Sequence, residues 1–490
     1  MQPIKSAAIF NMKIQPIPSP LIALLPVLLL VALVLLSLIV FGADALNGAS
    51  QFSLLLASAF ALVLGRISGP FHWSEFEKQL HKNFKNISGA LVILLIIGAL
   101  SATWMLSGVV PLFIVYGMKL IHPAVFLVAA SVVCAVVSVL TGSSWTTIAT
   151  VGLALLGIGK ALGFAEGWIA GAIVSGAYFG DKISPLSDTT VLASSVTGTP
   201  LFTHIRYMLN TTIPSMLIAL LVYTLAGLWL PVTDSGSSTQ YEAILNDRFN
   251  LTPWLLLVPL FTTLMIVRRW PALVTLFLST LLALVAALVF QPDIIATVGG
   301  EGSPGMLTLA KGAIQTTVGS TSVQTGNSEI NDLIATRGMQ GMLNTVWIIL
   351  CATTFGAAMA ATRMVESLTL FLIRRIHSVS GLVGSTVATG LLANLTMGDQ
   401  YLSLILTGNI YKELYEKRGL ESKLLSRSME DSVTVTSALI PWNSCGMTQS
   451  TVLGVSTLAY FPYALFNYLS PLMSILVARL IQRRKRNQTL

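Results

Sequence analysis

Four polar stretches interrupt an otherwise apolar chain, and their side chains could hold a hard cation. The stretches cover 141–147, 180–190, 394–399 and 430–446. Carboxylate, hydroxyl and amide oxygens suit hard cations, whereas soft metals favour Cys or Met. The oxygen-bearing candidates are Thr141, Ser143, Ser144, Asp181, Ser184, Ser187, Asp188, Thr189, Asn394, Thr396, Asp399, Asp431, Thr434, Thr436 and Asn443.

A carboxylate in such a stretch could do more than hold a cation. Burial raises the pKa of a carboxylate, because the charged form loses its hydration. One buried carboxylate can therefore bind either a proton or a cation near neutral pH. If it is reached from each side of a membrane in turn, this mutual exclusion suffices for cation/proton exchange.

A site for an organic anion would instead require fixed cations, and Lys182 and Arg206 are the candidates. We interpret Lys182 as the charge partner of its neighbour Asp181. A direct contact to a substrate, or a stand-in for a departing cation, is the alternative. His204 and Arg206 stand at the start of a predicted helix, where basic residues anchor the cytoplasmic end.

The composition is that of a membrane protein. Of the 490 residues, 54% are hydrophobic and only 10% are charged, whereas soluble domains carry about 25% charged residues. The net charge is +8, but the basic residues cluster between apolar runs. That placement indicates membrane orientation rather than nucleic-acid binding. Cys134, Cys351 and Cys445 have no CxxC spacing, so neither a disulfide framework nor a zinc site is indicated.

Apolar runs of about 20 residues predict the membrane helices that position the polar stretches. The basic loop 66–86 and the tail Arg483–Arg486 predict the cytoplasmic side, and the acidic loops 231–252 and 291–337 predict the outer side. Both termini are therefore expected in the cytoplasm. The predicted helices are 21–41, 51–66, 87–108, 206–230, 253–267, 271–290, 338–362 and 459–480.

The two halves of the chain contain the same succession of helices and polar stretches. The first half is predicted to start on the cytoplasmic side of the membrane, and the second half on the outer side. LTGSSW at 140–145 matches LTMGDQY at 395–401. Pro185 follows Thr141 by 44 positions, and Pro441 follows Thr396 by 45. This pattern predicts the inverted repeats of a secondary transporter. The predicted boundaries are 1–235 for the first repeat, 236–252 for an extracellular linker and 253–490 for the second repeat, with 291–337 as its polar outer loop.

The polar stretches are expected to interrupt membrane helices. Gly167–Phe179 has only 13 residues, too few to cross a bilayer, so the pieces on both sides of 180–190 form one interrupted crossing. Irregular backbone at membrane depth is tolerated where it lines an enclosed cavity. An extramembrane loop is the alternative, above all for 430–446, where Glu430 would then be interfacial.

Catalytic alternatives have little support. An intramembrane aspartyl protease needs an aspartate after Gly-x-Gly, and Tyr178–Asp181 and Thr396–Asp399 both lack the first glycine. No phosphate-binding loop or nucleotide fingerprint is present in the sequence. We therefore expect a transporter rather than an enzyme, with no cofactor and no nucleic-acid partner.

Three long stretches resemble sodium/proton antiporters of the NhaC family. The resemblance extends over nearly the whole chain. It implies the all-α fold of the ion-transporter superfamily, with inverted repeats, two re-entrant hairpins and two discontinuous helices, and it implies a homodimer in the lipid bilayer. The stretches are FGDKISPLSDTTVLASSVTGTPLFTHIRYML at 179–209, DQYLSLILTGNIYKELYEKRGLESKLLSRSMEDSVTVTSALIPWNSCG at 399–446 and LGVSTLAYFPYALFNYLSP at 453–471.

This resemblance implies exchange of Na⁺, or Li⁺, for H⁺ across the inner cell membrane. A branch that exchanges malate and lactate shares the motifs, so a carboxylate substrate is the alternative. The hairpins are expected near 122–160, entered from outside, and near 379–411, entered from the cytoplasm.

The residues that the resemblance carries over by position are Asp181, Ser184, Ser187, Asp188, Thr189, Asp399, Glu430, Asp431, Thr434, Thr436 and Asn443. We expect Asp188 and Asp399 closest to the ion, because each stands in a stretch that the repeat pairs. The other expected cation ligands are Thr141, Ser143, Ser187, Thr189, Asn394, Thr396 and Asn443. The candidates for proton or charge coupling are Asp181, Lys182, Glu430 and Asp431.

Overall fold

The chain is all-helical in the part that the structure describes. The structure is a computed structural model that describes residues 17–41, 45, 47–69, 71–230, 235–300, 304–374, 376 and 378–488. Within these residues the β-structure is limited to an isolated antiparallel bridge between Thr321 and Thr336. The predicted all-α class is confirmed.

Twenty-five α-helices follow one another along the described chain, with two π-helical turns among them. The π-helical turns cover Ile148–Gly152 and Glu430–Thr434. The helices are α1 (Pro20–Phe41), α2 (Ala49–Ser68), α3 (Trp73–Leu106), α4 (Val109–Leu120), α5 (Phe126–Thr141), α6 (Ser144–Thr147), α7 (Leu153–Ala161), α8 (Glu166–Ile183), α9 (Asp188–Thr197), α10 (Leu201–Trp229), α11 (Ser235–Arg248), α12 (Leu257–Val267), α13 (Ala272–Phe290), α14 (Pro292–Gly299), α15 (Met306–Val318), α16 (Ser328–Ile334), α17 (Leu343–Ala361), α18 (Met364–Ile373), α19 (Val379–Met397), α20 (Gln400–Lys417), α21 (Ser422–Met429), α22 (Val435–Ser437), α23 (Ser444–Leu453), α24 (Thr457–Tyr460) and α25 (Leu465–Gln488).

Eight helices of the described chain are long and apolar enough to cross a membrane, or up to ten if two bent helix pairs each count as one span. Large apolar side chains cover their outer faces, and Leu21 and Ile39 are about four-fifths exposed. Apolar surface of this extent is covered by lipid. The chain is therefore a multi-pass membrane protein. The eight are α1, α2, α3, α5 with its preceding turn, α10, α13, α17 with its preceding turn, and α19.

The helices largely follow the hydropathy pattern, with differences at α3 and at the last predicted helix. The predicted single helix 459–480 is wrong, because the chain bends by 55° between Thr457–Tyr463 and Leu465–Leu480, next to Pro462. The predicted helices 21–41, 51–66 and 271–290 agree with α1, α2 and α13 to within two residues. The third predicted helix, 87–108, overlaps a 34-residue helix that already begins at Trp73 and ends at Leu106. No proline interrupts that segment, so most of the predicted polar loop 66–86 continues the helix instead.

Two helical hairpins end in tight glycine turns. The first joins α5 to α6 and α7 through Gly142, and the second joins α19 to α20 through Gly398. Both glycines have positive φ, 67° and 64°, a conformation that side-chain-bearing residues rarely adopt. Helical hairpins lie at the two positions that the sequence predicts. That they are re-entrant, and the side from which each enters the membrane, stay predictions.

Each hairpin is followed by an interrupted helix. The first runs through α8 and α9 and is broken only at 184–187, around Pro185. The second runs through α21, the π turn and α22, and resumes at α23 after a break around Pro441. The breaks are shorter than the predicted polar stretches, because Gly180–Ile183 and 430–437 remain helical. The inverted relation of the two halves stays a prediction.

Close packing fixes the first hairpin against the first interrupted helix. A Cβ on Gly176 would lie 2.0 Å from the Ser131 carbonyl oxygen, and one on Gly180 would lie 2.3 Å from the Ala135 carbonyl oxygen. The Ser138 hydroxyl donates to the Ala177 carbonyl oxygen at 2.6 Å. Only glycine permits this approach of α5 and α8, which brings the hairpin turn to the helix break.

The two predicted polar connections are partly helical. Most of 236–252 forms α11, and the chain then bends by 91° into the helix that begins at Pro253. The segment 291–337 contains α14, α15 and α16. Neither is an irregular loop throughout, because both contain runs without proline that favour helix.

Candidate functional site

A polar cavity lies where the first hairpin meets the first helix break. Its volume is about 490 Å³. The start of α20 and the turn between α12 and α13 complete its wall through Gln400, Tyr401, Arg269 and Trp270. Six residues of the predicted set line it together: Thr141, Ser143, Asp181, Ser187, Asp188 and Thr189.

Asp188 is the accessible carboxylate of this cavity. It is the first residue of α9 and is exposed. Within the described residues it has no hydrogen bond and no ion pair. A helix N-terminus carries a partial positive charge that compensates a carboxylate there. Asp188 therefore presents a carboxylate to the cavity whose oxygens form no bond within the described residues.

Asp181 lies behind Asp188 and is almost fully buried, with 5% exposure. Its Oδ2 accepts a hydrogen bond from the Ser144 backbone N–H at 3.1 Å and another from the Ser144 hydroxyl at 2.7 Å. Ser144 is the first residue of α6, so the hairpin offers a helix N-terminus to a carboxylate of the interrupted helix. This contact positions the hairpin turn on the site.

Hydroxyl groups surround the two aspartates. The Thr141 hydroxyl lies 3.2 Å from the Thr147 hydroxyl, and the Ser143 Oγ accepts from the Thr146 backbone N–H at 3.2 Å. On the other wall, Ser187 Oγ lies 3.0 Å from the Thr189 hydroxyl. These oxygens, with the two carboxylates, form a lining suited to a hard cation.

The predicted second-half ligands do not line this cavity. Asp399 is buried at the start of α20, where its Oδ1 accepts the backbone N–H groups of Tyr401 and Leu402 at 2.9 and 3.0 Å. Its Oδ2 accepts the Ser444 hydroxyl at 3.0 Å. Asp399 thereby caps α20 and ties the second hairpin to α23.

The other second-half candidates are equally buried and hold backbone together. The Asn394 amide donates to the Val433 carbonyl oxygen at 2.7 Å, and the Asn443 amide donates to the Asn394 carbonyl oxygen at 3.2 Å. The Thr396 hydroxyl bonds within its own helix. The structure therefore separates the predicted ligands into a cavity group and a buried group.

A second polar region is closed on all sides. We name Lys182, Arg427, Glu430 and Asp431 the buried charge cluster, and none of the four has exposed surface. Lys182 forms an ion pair with Asp431 and donates to the Ser470 hydroxyl at 2.9 Å. The cluster joins α8 of the first half to the π turn of the second. Asp431 Oδ1 also accepts from Thr211 and Ser470, each at 3.0 Å.

Several polar atoms of the buried charge cluster lack partners. The three guanidinium nitrogens of Arg427 and both carboxylate oxygens of Glu430 are buried without a hydrogen bond. Arg427 Nε lies 3.7 Å from Asp431 Oδ2, and its guanidinium stacks over the Tyr207 ring at 4.9 Å. Buried charges without close partners are costly.

The structure corrects three interpretations from the sequence. Lys182 pairs with Asp431 rather than with its neighbour Asp181, because consecutive helical residues point in different directions. Glu430 is fully buried rather than interfacial. His204 is also buried and contacts the Ser426 hydroxyl at 2.8 Å, so only Arg206 is left as a surface anchor.

Arg427 is the member of the buried charge cluster that sequence reasoning missed. It ends the basic segment 412–427, whose charge is typical of a cytoplasmic loop. One signal was available, because Arg427 stands four residues before Asp431 and such pairs meet on one face of a helix. No group of three or more His, Cys, Asp or Glu residues in the described chain could hold a metal ion.

The chain is similar to known proteins over most of its length. A model of the Na⁺/H⁺ antiporter family matches residues 176–479. The Na⁺/H⁺ antiporter NhaC of Bacillus subtilis is 34% identical over 428 residues, which cover 87% of this chain and 90% of that protein. The malate-2H⁺/Na⁺-lactate antiporter of Bacillus subtilis is 32% identical, with 86% and 87% covered.

A third relative is the arginine/ornithine antiporter ArcD of Halobacterium salinarum. It is 32% identical, with 93% of this chain and 90% of that protein covered. Among solved structures, MtrF of Neisseria gonorrhoeae, described as one of a class of antimetabolite efflux pumps, matches with a TM-score of 0.38 and 15% identity. That match covers 92% of this chain and 94% of MtrF.

Proposed function

The chain belongs to the Na⁺/H⁺ antiporter family, and we propose that it exchanges Na⁺ or Li⁺ for H⁺ across the cell membrane. The matches confirm the resemblance seen in the sequence, and the relatives are named as antiporters rather than enzymes. The observation that carries the proposal is Asp188, an unpaired carboxylate that faces a polar cavity beside the buried Asp181.

Exchange follows if a cation and a proton compete for this pair of carboxylates. Two ionised carboxylates resist burial, because removing charge from water is costly. Either Na⁺ or H⁺ lowers the charge of the pair and so lets the cavity close and reopen on the other side. A site that closes only when loaded moves the two ions in opposite directions without leakage. This is alternating access, with the hairpin turn at Gly142 next to the moving site.

The orientation is part of the proposal. The cavity reaches Arg269, and the charge pattern assigns the turn that contains Arg268 and Arg269 to the cytoplasm. The structure would then be open to the inside, with both termini cytoplasmic and the protein in the inner membrane. A homodimer in the bilayer is also part of the proposal.

Sodium-dependent proton movement in everted membrane vesicles tests the exchange. Respiration first acidifies the vesicle interior, and Na⁺ is then added. We expect wild type to collapse the pH gradient and Asp188→Asn to lower the initial rate at least tenfold at equal abundance in the membrane. Asp293→Asn is the matched control, since Asp293 is an exposed carboxylate outside the cavity. Full exchange activity in Asp188→Asn would overturn the proposal.

The second candidate is exchange of small carboxylates coupled to Na⁺ and H⁺. The chain is about as similar to the malate-2H⁺/Na⁺-lactate antiporter as to NhaC. Counterflow of labelled malate or lactate in proteoliposomes, with Na⁺ or with choline, separates the two candidates. Sodium/proton exchange alone predicts no labelled uptake in either salt.

A further inference from the structure

The cavity is larger than a sodium site requires. Its volume is about 490 Å³. Pockets for small organic ligands begin at about 300 Å³. A site for one Na⁺ needs only a shell of oxygen ligands around the ion. The remaining space fits a small organic molecule.

The polar groups of the cavity are separated by charge. Asp181 and Asp188 lie at the helix break, and all their carboxylate oxygens are acceptors when ionised. We name Asn86, Arg269 and Trp270 the rim; each of the three is exposed and carries hydrogen-bond donors. A ligand with an anionic end would be attracted to the rim and repelled by the helix break.

Arg269 has an unusual backbone for its residue type. Its φ is 59°, and Arg363 at 57° is the other positive-φ residue besides glycine in the described chain. Both arginines follow the end of a helix, where glycine is usual. Because strained backbone conformations cluster at functional sites, the positive φ of Arg269 suggests a functional role for its side chain.

The two arginines differ in what their side chains do. Arg363 forms an ion pair with Glu366 at 2.7 Å. Arg269 forms no ion pair within the described residues, and its side chain lines the cavity. Its neighbour Arg268 does not line the cavity. The strained position therefore presents one free guanidinium to the cavity.

We propose that Arg269 binds the carboxylate of a small organic anion at the rim, while Na⁺ occupies the space between that anion and Asp188. The inference deepens the second candidate function, the exchange of small carboxylates, and rests on the proposed Na⁺ binding at Asp188. A guanidinium fits a carboxylate through two parallel N–H···O bonds. Without Na⁺, the ionised aspartates repel the anion. Binding of the anion is therefore expected to require Na⁺.

Binding measurements on the purified full-length protein in lipid nanodiscs test this arrangement. Calorimetric titrations with L-lactate and with L-malate are run in NaCl and in choline chloride at equal ionic strength. We expect at least one of the two to bind in NaCl, and to bind at least tenfold more weakly in choline. Absence of binding by both in NaCl overturns the inference.

Two matched variants assign the binding to Arg269. Arg269→Asn should weaken carboxylate binding at least tenfold. It should also tighten Na⁺ binding about two- to threefold, because a positive charge leaves the cavity. General damage would weaken both. Arg268→Asn makes the same change one residue away, and should leave both affinities within twofold. Equal losses in the two variants, or wild-type carboxylate binding in Arg269→Asn, contradict the inference.

Further controls separate the possible failures. Arg269→Gly relieves the positive φ and replaces Arg269→Asn if the latter does not fold. Arg269→Lys keeps the charge and should retain part of the affinity. If Na⁺ produces no binding heat in wild type, the proposed exchange itself fails. If Na⁺ binds in an Asp188-dependent way while neither carboxylate binds, only the inference on Arg269 fails.

Discussion

The cavity and the buried charge cluster adjoin each other, yet their charges are arranged in opposite ways. In the cavity, Asp181 and Asp188 face hydroxyl groups and open space, and neither has a basic partner within the described residues. In the buried charge cluster, Lys182 is paired with Asp431 and no member is exposed. The two aspartates of the first region form no ion pair within the described residues, whereas the second region contains both partners of its ion pair.

One helix carries both arrangements. Asp181 and Lys182 are consecutive in the last turn of α8, and they face the cavity and the buried charge cluster respectively. A change of charge at Asp181 is therefore felt by Lys182 and by the second-half π turn that binds it. This contact gives the two halves a direct electrostatic link.

The largest effect is expected from breaking the buried ion pair. Lys182→Met leaves Asp431 buried without its closest cation, and loss of one partner of such a pair costs about 3–5 kcal/mol. Thermal unfolding of the solubilised protein should show a large fall in Tm. Adding Asp431→Leu should recover much of the loss, because apolar replacement of both partners is often tolerated.

The contrast between the regions would be weakened by two results. One is a Lys182→Met variant as stable as wild type. The other is an Asp188→Asn variant that loses as much stability as Lys182→Met. Asp188→Asn should unfold close to the wild-type temperature, since Asp188 has no partner among the described residues to lose.

A smaller effect is expected at the hairpin turn that closes one side of the cavity. Gly142→Ala places a Cβ 2.6 Å from the Leu186 carbonyl carbon at a φ of 67°. Backbone strain of this kind costs about 1–3 kcal/mol, and the turn must also move away from the break. The Tm and the exchange rate should fall together.

Gly384→Ala is the matched control for this glycine. Gly384 lies within α19, and a Cβ there would meet nothing within 4 Å. Alanine favours helix over glycine by about 0.5–1 kcal/mol. The control should therefore be at least as stable as wild type. Similar losses in both variants would show that the close approach of turn and break does not matter.

The smallest effect is expected from the hydroxyl that holds Asp181. Ser144→Ala removes a 2.7 Å hydrogen bond to the carboxylate but keeps the bond from the backbone N–H. Hydrogen bonds to charged groups contribute about 1.5–3 kcal/mol, and the remaining donor and cavity water should reduce the loss to about 1 kcal/mol. Ser88→Ala, at an exposed serine, should change the Tm little.

Much of the fold follows from local sequence, because hydropathy and helix-breaking residues act locally. Pro185 and Pro441 mark both helix breaks, and Gly142 and Gly398 mark both hairpin turns. The residues at which each helix break begins and ends were less predictable from the sequence. Gly180–Ile183 stays helical because its polar side chains find partners inside the protein.

The site was only partly predictable, because its contacts join distant segments. The hydroxyls and aspartates of 141–147 and 180–190 meet as expected in the cavity. Lys182 and Asp431 are 249 residues apart, and nothing local to either distinguishes that pairing from one between Lys182 and Asp181. Arg269 belongs to a loop whose basic residues are explained by orientation alone, so only the three-dimensional cavity reveals it.

The central claim is that Na⁺ and H⁺ compete for the carboxylates at the cavity, and proton release on sodium binding tests it most directly. Purified protein in a weakly buffered solution is mixed with NaCl, and released protons are followed with a pH indicator. Wild type should release protons in proportion to bound Na⁺, choline chloride should release none, and Asp188→Asn should lose most of the signal. Proton release of wild-type size from Asp188→Asn would contradict the account.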